Sequence, residues 1–428
     1  MHGDESVAEG AAAVGDEGHV RVAYIMSRFP KITETFILFE MLAVEQLGVP
    51  VEIYPLLRER TKTMHPEAVE MVERARFAPL LSWQIVRANL GYLRTMPRRY
   101  LSTLWTLMRA NFGSARYFFG ALAFFPKAVF FAHRMDADGV THVHAHFASH
   151  PAAVAFVIGR LTGIPYSFTA HGSDLHRDRH MLREKVAGAD FVATVSEFNR
   201  RLINRECDGD FADKVTVIHC GVDTELFRPL SSAECGDDGG GALRIACVGT
   251  LHEVKGQAYL VEACGLLAAR GVDFVCDIVG DGPDMAALVK QARKAGVEDR
   301  IRFHGKVMRD RVVEVLRQAD VVVAPSVPTS NGRREGIPVA LMEAAASGIP
   351  VIGSRITGVP ELVADGEMGY VLEPRDTQGL ADALARLADD TGLRARMGMA
   401  ARDKAVSEFD QDTNAGALAG RFTRVSFQ

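Results

Sequence analysis

Two glutamates, Glu335 and Glu343, stand eight residues apart in the stretch 331–346, NGRREGIPVALMEAAA. Pro338, between them, has a fixed φ and no N–H to donate, which suits the first turn of a helix. The residues after it favour a helix that ends near Gly348. We therefore expect Glu335 on the loop before the helix and Glu343 about a turn and a half inside it.

The start of such a helix can bind a phosphate group. Its first backbone N–H groups have no partner within the helix, and the helix dipole is positive at this end. A phosphate bound there would lie between the two carboxylates, each able to accept hydrogen bonds from hydroxyls of a sugar or ribose. The alternative is that Glu335 only caps the helix and Glu343 only faces solvent. The surrounding sequence decides between these interpretations.

Length and composition indicate a globular protein of two domains. The chain has 428 residues, more than one ordinary hydrophobic core holds, and 48% of them are apolar. The net charge of −5 gives no reason to expect nucleic acid as a partner. The six cysteines form no CxxC pair and no zinc spacing, which is typical of a reducing compartment. Residues 1–18 are acidic and predict a disordered lead-in, not a signal peptide.

The first half opens as a strand–helix–strand unit, with strands over 20–26 and 50–56 and a helix over 33–42. Ligands in such folds gather at the carboxyl ends of the parallel strands. The polar residues after the first strand would then point toward a cleft: Ser27, Arg28, Thr33, Glu34 and Thr35. Part of this pattern has an alternative explanation, in which Thr33 is the helix N-cap and Glu34 favours the helix dipole.

A basic segment rich in aromatic residues, 74–135, interrupts the first half. It contains ten Lys or Arg residues, both tryptophans and no Asp or Glu. Basic helices with aromatic side chains bind the surface of anionic bilayers. The absence of acidic residues favours contact with the inner membrane, although an insert with buried aromatic residues and solvated arginines would have the same sequence. No uncharged apolar run reaches the roughly 18 residues of a spanning helix. The segment that comes closest, 117–132, is shorter and contains Pro126 and the charged Lys127.

Two histidine patterns follow this segment. His142, His144 and His146 alternate along a strand and so lie on one face of it. A metal site there is conceivable, but no carboxylate or fourth ligand stands near in the sequence, and we expect no metal. His171 follows the strand 165–170 and precedes the small residues Gly-Ser-Asp. A histidine at such a strand end occupies an active-site position in an α/β fold.

A linker over 230–242, rich in Gly, Asp and Ser, separates a first domain at 19–229 from the second half. From 243 to 405 strands and helices alternate, which predicts a second doubly wound parallel sheet. The loop after its first strand contains Lys255. We expect the ligand in a cleft between the two domains. The segment 406–428 could return to the first domain.

The motifs, in this order, resemble the large retaining family of GT-B glycosyltransferases (family 4-like, group 1). The resemblance is strong over 245–374, through VGTLHEVKG, IVGDGPD, FHGKV, ADVVVAPS, EGIPVALMEAAASGIPVIGS and GVPELVADGEMGYVL. It extends more loosely over the first half through SRFPKITETF, HAHF, FTAHGSD, VSEFNRRLI and VIHCGVDTELFRP. The form EGIP is most similar to the branch that builds bacterial exopolysaccharide and lipid-linked glycans. The resemblance implies a GT-B fold, with two Rossmann-like domains facing a central cleft.

This resemblance implies a nucleotide-sugar donor on the second domain, an acceptor on the first, and neither cofactor nor metal. By position, Glu343 would hold the ribose and Glu335 the hydroxyls of the transferred sugar. The N–H groups of Gly336 and Ile337, just before Pro338, would bind the diphosphate.

Three further positions match motifs of the family. Lys255 would neutralise the leaving diphosphate, and His171 corresponds to the active-site histidine beside the sugar. Val307 lies where the backbone usually contacts the base of the nucleotide.

The loop that contains Lys255 departs from the family pattern at Thr250. Many members carry arginine there, which gives the diphosphate two positive charges where this loop offers one. Arg333 or Arg334 could supply the second charge. A weak or inactive enzyme is the alternative.

The expected function is that of a retaining, metal-independent hexosyltransferase. It would move a sugar from a UDP- or GDP-sugar to a lipid-linked or polysaccharide acceptor. The expected location is the cytoplasmic face of the inner membrane, as a peripheral protein. Retention without an enzymic nucleophile implies front-side attack, in which the departing phosphate takes the acceptor proton. Two alternatives stay open: a non-catalytic GT-B scaffold subunit of a glycan-assembly complex, and an epimerase acting on nucleotide sugars.

Overall fold

The computed structural model describes residues 20–31, 34–60, 64–229 and 241–425. They form two α/β halves, each built on a six-stranded sheet whose neighbouring strands are all parallel. The prediction of two doubly wound α/β domains is confirmed. The predicted lead-in and most of the predicted linker lie outside the described residues.

In its described residues, the N-terminal half contains six strands and nine α-helices. The strands are β1 (Val22–Phe29), β2 (Val51–Arg58), β3 (His142–His146), β4 (Tyr166–Ala170), β5 (Phe191–Thr194) and β6 (Val215–Val217). Their order across the sheet is β2-β1-β3-β4-β5-β6. The helices are α1 (Thr35–Gln46), α2 (Pro66–Arg74), α3 (Trp83–Thr95), α4 (Pro97–Ala110), α5 (Ala115–Ala137), α6 (His150–Thr162), α7 (Ser173–His176), α8 (Leu182–Gly188) and α9 (Glu197–Glu206).

The C-terminal half repeats this architecture. Its strands are β7 (Leu243–Val248), β8 (Phe274–Val279), β9 (Ile301–Gly305), β10 (Val321–Ala324), β11 (Val351–Ser354) and β12 (Gly369–Leu372). They follow the order β12-β11-β10-β7-β8-β9. The helices are α10 (Gln257–Ala269), α11 (Met285–Lys294), α12 (Arg309–Arg317), α13 (Val339–Ala346), α14 (Val359–Leu362), α15 (Thr377–Asp389) and α16 (Thr391–Glu408).

The strands are apolar because helices cover both faces of each sheet. All four residues of β10, VVVA, are buried, as are all five of β4. The first strand is longer than predicted, since Arg28 and Phe29 continue the pairing with Leu57 and Arg58 of β2. This extension carries the chain farther toward the cleft before α1 begins.

A last helix, α17 (Gln411–Val425), leaves the C-terminal half and packs against α1. Its buried Phe422 lies among the rings of Tyr24, His142 and Phe191, with centroid distances of 5.1 to 6.3 Å. On another side, the Glu361 carboxylate accepts hydrogen bonds from two backbone N–H groups at the start of α9, at 2.7 and 2.8 Å. The two halves are therefore connected at separate places.

The basic segment forms the helices α3 to α5. The apolar run within it belongs to a continuous 23-residue helix, α5, that passes through Pro126. By length and composition alone, α5 is the one described helix that could cross a membrane, but 44% of its most apolar window is buried within the protein. It packs closely against α6 and α3.

Lys127 does not contribute to the surface charge of this segment. Its side chain is buried, and its ammonium group donates to the carbonyl oxygens of Leu56 and Ala78, the latter at 2.6 Å. Burial lowers the pKa of Lys127 to about 8. The aromatic residues divide in the same way: Phe125 and Phe131 belong to the core, whereas Trp83 and Trp105 are exposed.

Candidate functional site

A central cleft of about 470 Å³ lies where the carboxyl ends of the two sheets face each other. The C-terminal half lines it with the loop after β7 and with the stretch that leads into α13. The N-terminal half contributes the start of α1, Phe147, the loop after β4 and Cys220. This is the position that the strand–helix alternation predicts for a ligand.

Lys255 and Glu335 form an ion pair on the C-terminal side of the cleft. The hydroxyl of Ser326 also donates to the Glu335 carboxylate. Lys255 lies on a single 3₁₀ turn that Gly256 ends with a φ of 69°. A Cβ on this glycine would overlap the carbonyl oxygen of Pro325, so only glycine allows the turn to approach β10 so closely.

The loop between Glu335 and α13 presents backbone N–H groups to the cleft. Within the described ranges, neither Gly336 nor Ile337 donates its N–H to any acceptor. Pro338 precedes the helix and provides no side-chain cap, so the N–H groups of Val339 and Ala340 also lack an acceptor among the described residues. The hydroxyl of Thr357 donates to the carbonyl of Glu335 at 2.7 Å and holds the loop in place. This arrangement can bind a phosphate.

Glu343 points into the cleft from inside α13. Its carboxylate has no hydrogen-bond or ion-pair partner in the part of the chain that the structure describes. Burial raises its pKa to about 7, while the more distant Arg309 lowers it. A partly buried carboxylate without a partner suits a ligand that brings its own hydroxyl donors.

His171 faces these groups from the N-terminal half, at the end of β4. Its Nε2 lies 3.0 Å from Nδ1 of His146, whose Nε2 lies 3.1 Å from the Glu40 carboxylate. Because the carboxylate can only accept, His146 carries its proton on Nε2 and accepts from His171 through Nδ1. Burial also lowers the pKa of His171 well below its usual value. His171 is thus a neutral ring in one tautomer, and its unprotonated Nδ1 accepts from the thiol of Cys220 at 3.7 Å.

The backbone of His171 is held as firmly as its ring. The Asp174 carboxylate accepts from the N–H groups of His171, Gly172 and Ala148, and the Asn199 side chain donates to the His171 carbonyl at 3.0 Å. The two halves nearly touch at this loop. A Cβ on Gly172 would lie 3.3 Å from the nitrogen of Gly336.

Three other predicted positions also line the cleft: Thr250, Arg333 and Arg334. Both arginines are exposed, and among the described residues neither has an acidic partner. The carbonyl of Thr250 accepts from Gln257 at 3.2 Å. Val307 does not line the cleft; it is half-buried on the loop between β9 and α12, against the core of the C-terminal half.

The expectation for the residues after β1 holds only in part. Glu34 and Thr35 line the cleft, as does Lys31, which the sequence analysis did not select. Arg28 points elsewhere and pairs with Glu59 at 3.6 Å, because the strand continues through it. Thr33 lies outside the described residues.

Sequence reasoning missed Glu40, Ser326 and Thr357. Ser326 and Thr357 contact Glu335, whereas Glu40 contacts His146, 106 residues away, which in turn contacts His171. Cys220, expected as a plain core or loop cysteine, lines the cleft.

One group of side chains in the described residues has the spacing of metal ligands: Glu40, His144 and His146. Hydrogen bonds account for it, since both ring nitrogens of His144 lie within 3.0 Å of hydroxyls on β4 and those of His146 contact His171 and Glu40. That the site works without metal stays a prediction.

Comparison with known proteins matches both halves of the chain. Residues 239–404 match the glycosyl transferases group 1, and residues 91–226 match glycosyltransferase family 4. WcaL of Salmonella typhimurium is 30% identical to this chain over 413 residues, and its name assigns it to colanic acid biosynthesis. The alignment covers 92% of this chain and 97% of WcaL. The chain belongs to the group 1 glycosyltransferases. AmsK of Erwinia amylovora, an amylovoran biosynthesis glycosyltransferase, is 28% identical over 95% of this chain and 100% of its own length.

Solved structures share the fold of this group 1 glycosyltransferase. A glycosyltransferase from Rickettsia africae aligns with a TM-score of 0.69 over 95% of this chain and 98% of its own, at 15% identity. Anabaena HepE in complex with UDP-glucose aligns with a TM-score of 0.67 over 94% and 99%, at 16% identity. The GT-B fold is confirmed.

The raised pKa of Glu343 predicts a pH-dependent stability. Because the folded-state pKa of about 7 exceeds the usual 4.5, the folded protein loses stability as the pH rises from about 4.5 through 7. Glu343→Gln removes the charge, so we expect it to stabilise the protein by about 3 kcal/mol at pH 8 and by much less at pH 5. Thermal unfolding at the two pH values tests this. The exposed Glu367→Gln serves as control, and an equal effect of Glu343→Gln at both pH values would contradict the assignment.

The hydrogen-bonded chain from Glu40 to His171 predicts that Glu40 sets the tautomer of His171. Glu40→Ala leaves the buried Nε2–H of His146 without an acceptor, at a cost of about 1–3 kcal/mol in unfolding free energy. Glu40→Gln offers an amide oxygen as acceptor and should therefore retain most of the unfolding free energy that Glu40→Ala loses. Nitrogen-15 spectra of the imidazole rings should show His171 protonated on Nε2 in the wild type and in Glu40→Gln, but not in Glu40→Ala. An unchanged His171 signal in Glu40→Ala would refute the chain.

Proposed function

We propose that this protein transfers a hexose from a UDP- or GDP-sugar to a glycan acceptor during the synthesis of a bacterial surface polysaccharide. The observation that carries this proposal is a set of groups on the C-terminal side of the cleft that have no partner among the described residues: the Glu343 carboxylate and the N–H groups of Gly336 and Ile337. Ribose hydroxyls and a diphosphate would satisfy these groups. The names of the relatives support the process, since they refer to amylovoran and colanic acid biosynthesis.

The donor class is supported by proteins with the same fold or family. HepE was crystallised with UDP-glucose, and a 32% identical mycobacterial relative is named as GDP-mannose-dependent. The base therefore stays open between uracil and guanine. The backbone near Val307 remains our candidate for contacting it.

In the proposed reaction, the acceptor hydroxyl oxygen bonds to the anomeric carbon while the bond from that carbon to the phosphate oxygen breaks. Both events occur on one face of the sugar, so the configuration is retained and the hydroxyl proton passes to the leaving phosphate. Lys255, with Arg333 or Arg334, neutralises the diphosphate as its charge grows. Glu335 holds sugar hydroxyls, and the neutral His171 closes the opposite side. The chain's own residues position the reactants and stabilise charge, and no metal is required.

Lys255→Ala and Glu335→Ala test this proposal. Each should lower the rate of sugar transfer at least 100-fold, because removing one preorganised electrostatic contact typically costs this much, while thermal unfolding stays near normal. To identify the donor first, a series of UDP-sugars and GDP-sugars is screened for the one that raises the melting temperature of the wild type. Lys290→Ala and Glu367→Ala, exposed on the same half, are the controls. Near-normal sugar transfer by either site variant would refute the assignment of these residues. If the wild type converts the donor to its epimer and transfers no sugar, the protein is an epimerase.

We also propose that the acceptor is lipid-linked and that α3 and α4 dock on the cytoplasmic surface of the inner membrane. On α3, Trp83, Arg87, Leu90 and Arg94 recur every three or four residues and lie opposite the buried Ile85. Trp83 is 76% exposed. Such a stripe suits the boundary between anionic head groups and acyl chains.

The next helix has the same kind of stripe. Arg98, Leu101, Trp105 and Arg109 share one side of α4, and Phe112 follows the helix at 80% exposure. Among the described residues, Arg87, Arg94, Arg98 and Arg99 have no acidic partner. We call the exposed apolar and basic side chains of 83–112 the docking face.

The docking face predicts charge-dependent binding to anionic vesicles. Reversing two charges, Arg98→Glu with Arg99→Glu, should weaken binding to vesicles that contain phosphatidylglycerol at least tenfold, because each well-placed arginine contributes about 1 kcal/mol. The matched control, Lys290→Glu with Arg302→Glu, makes the same change in net charge on the C-terminal half. Vesicle sedimentation at low and high salt measures both. Equal losses in the two double variants would reject a localised face.

A further inference from the structure

A second cavity, the side groove, opens beside the central cleft. It has a volume of about 210 Å³ and shares Lys31, Glu34, Phe147 and Ser173 with the cleft. From there it runs along the start of α5 and the end of α7, with Arg116 and Arg177 on its walls. The two cavities therefore form one continuous path into the site.

The acidic side chains of the side groove are already engaged. Asp174 accepts from three backbone N–H groups, and Asp178 accepts from the Ser114 hydroxyl at 3.0 Å and from the ring of His180. Glu34 pairs with Lys31. These contacts satisfy the carboxylate oxygens, and Lys31 balances the charge of Glu34.

Two arginines of the groove take no part in these contacts. Arg116 and Arg177 are both exposed, and in the described ranges no carboxylate lies within ion-pair distance of either guanidinium. Arg116 rests 5.6 Å from the centre of the Tyr117 ring. Arg116 also stands in the first turn of the long helix α5, where the helix dipole adds positive potential. These two guanidinium groups are therefore available to bind an anion.

The outer end of the groove borders the docking face. Arg116 is followed by Phe118 and Phe119; Phe118 contacts the exposed Phe112 ring at a centroid distance of 6.5 Å. Phe119 is itself 66% exposed. An acceptor that spans this region meets an apolar surface, then two free arginines, then the cleft with His171.

We propose that the side groove binds the phosphate or diphosphate head of a lipid-linked acceptor, through Arg116 and Arg177. The lipid chain stays with Phe112 and Phe119 at the bilayer, and the glycan beyond the phosphate enters the cleft beside His171. Guanidinium groups suit this task because they bind phosphate oxygens through two parallel N–H donors. This inference rests on the proposed function for the identity of the acceptor, but the anion site can be tested without transfer.

Farnesyl diphosphate, a short isoprenyl diphosphate, is the probe. Its binding is measured by calorimetry on the full chain, with the nucleoside diphosphate that the protein prefers, UDP or GDP, at saturation to fill the donor site. We expect the double variant Arg116→Ala with Arg177→Ala to weaken binding of the probe at least thirtyfold. Binding of the nucleoside diphosphate should stay within twofold. Arg205→Ala, an exposed arginine of the same half outside the groove, should change neither.

Two further ligands identify what the groove binds. Farnesol carries the lipid without the charge, and its weaker binding should not respond to the double variant. Inorganic diphosphate carries the charge without the lipid, and should bind more weakly than farnesyl diphosphate but respond to the same variant. Equal affinity of the wild type for inorganic and farnesyl diphosphate would overturn the lipid-linked part of the proposal.

The inference is overturned as a whole if the double variant binds farnesyl diphosphate as well as the wild type does. This result is distinct from failure of the proposed function. If neither UDP nor GDP binds the wild type, the donor assignment fails, and the groove is still tested by farnesyl diphosphate alone.

Discussion

The parallel arrangement of the two sheets is the constraint on which the rest of this structure depends. A parallel sheet brings the carboxyl ends of all its strands to one edge, and here the two edges face each other across the central cleft. Lys255, after β7, therefore meets Glu335, which follows β10, and both face His171 after β4. Contacts away from the cleft, such as α17 on α1 and Glu361 on α9, support this arrangement.

The two sides of the cleft differ in how completely their polar groups are bonded. On the N-terminal side, the ring, N–H and carbonyl of His171 all have partners within the protein. On the C-terminal side, Glu343 and the N–H groups of Gly336 and Ile337 lack them among the described residues. This difference is expected where the hydrogen-bonded N-terminal side orients a reaction and the C-terminal side, with its unsatisfied donors and acceptors, binds a polar ligand.

The basic helices show how burial assigns different roles to similar residues. Lys127 and Arg116 belong to the same helix, yet Lys127 is buried with carbonyl partners, whereas Arg116 is exposed at the edge of the side groove and has no acidic partner among the described residues. The tryptophans lie outside the core that takes in Phe125 and Phe131. The interpretation as a packed insert thus holds for part of the segment, and membrane contact stays a proposal. Its core side packs inside the domain, and its outer side carries exposed charge and aromatic surface.

Sequence alone determined the features that depend on neighbouring residues. The alternation of strands and helices predicted two doubly wound halves, and the stretch around Pro338 predicted a helix at 339–346 with Glu335 before it and Glu343 within it. These predictions succeed because strand periodicity, helix propensity and proline geometry act over a few residues. Local patterns marked Lys255 and His171 separately, and the family motifs then assigned both residues to one site.

Only the tertiary structure decided which distant residues meet. Glu40 lies 106 residues before His146, and nothing around it in α1 marks it as a partner of the strand. The same holds for Lys127 and for the meeting of Arg116 with Arg177 in the side groove. Such contacts depend on how the helices pack on the sheets. The tertiary structure therefore decides which side chains are desolvated, how their pKa values shift and which charges pair.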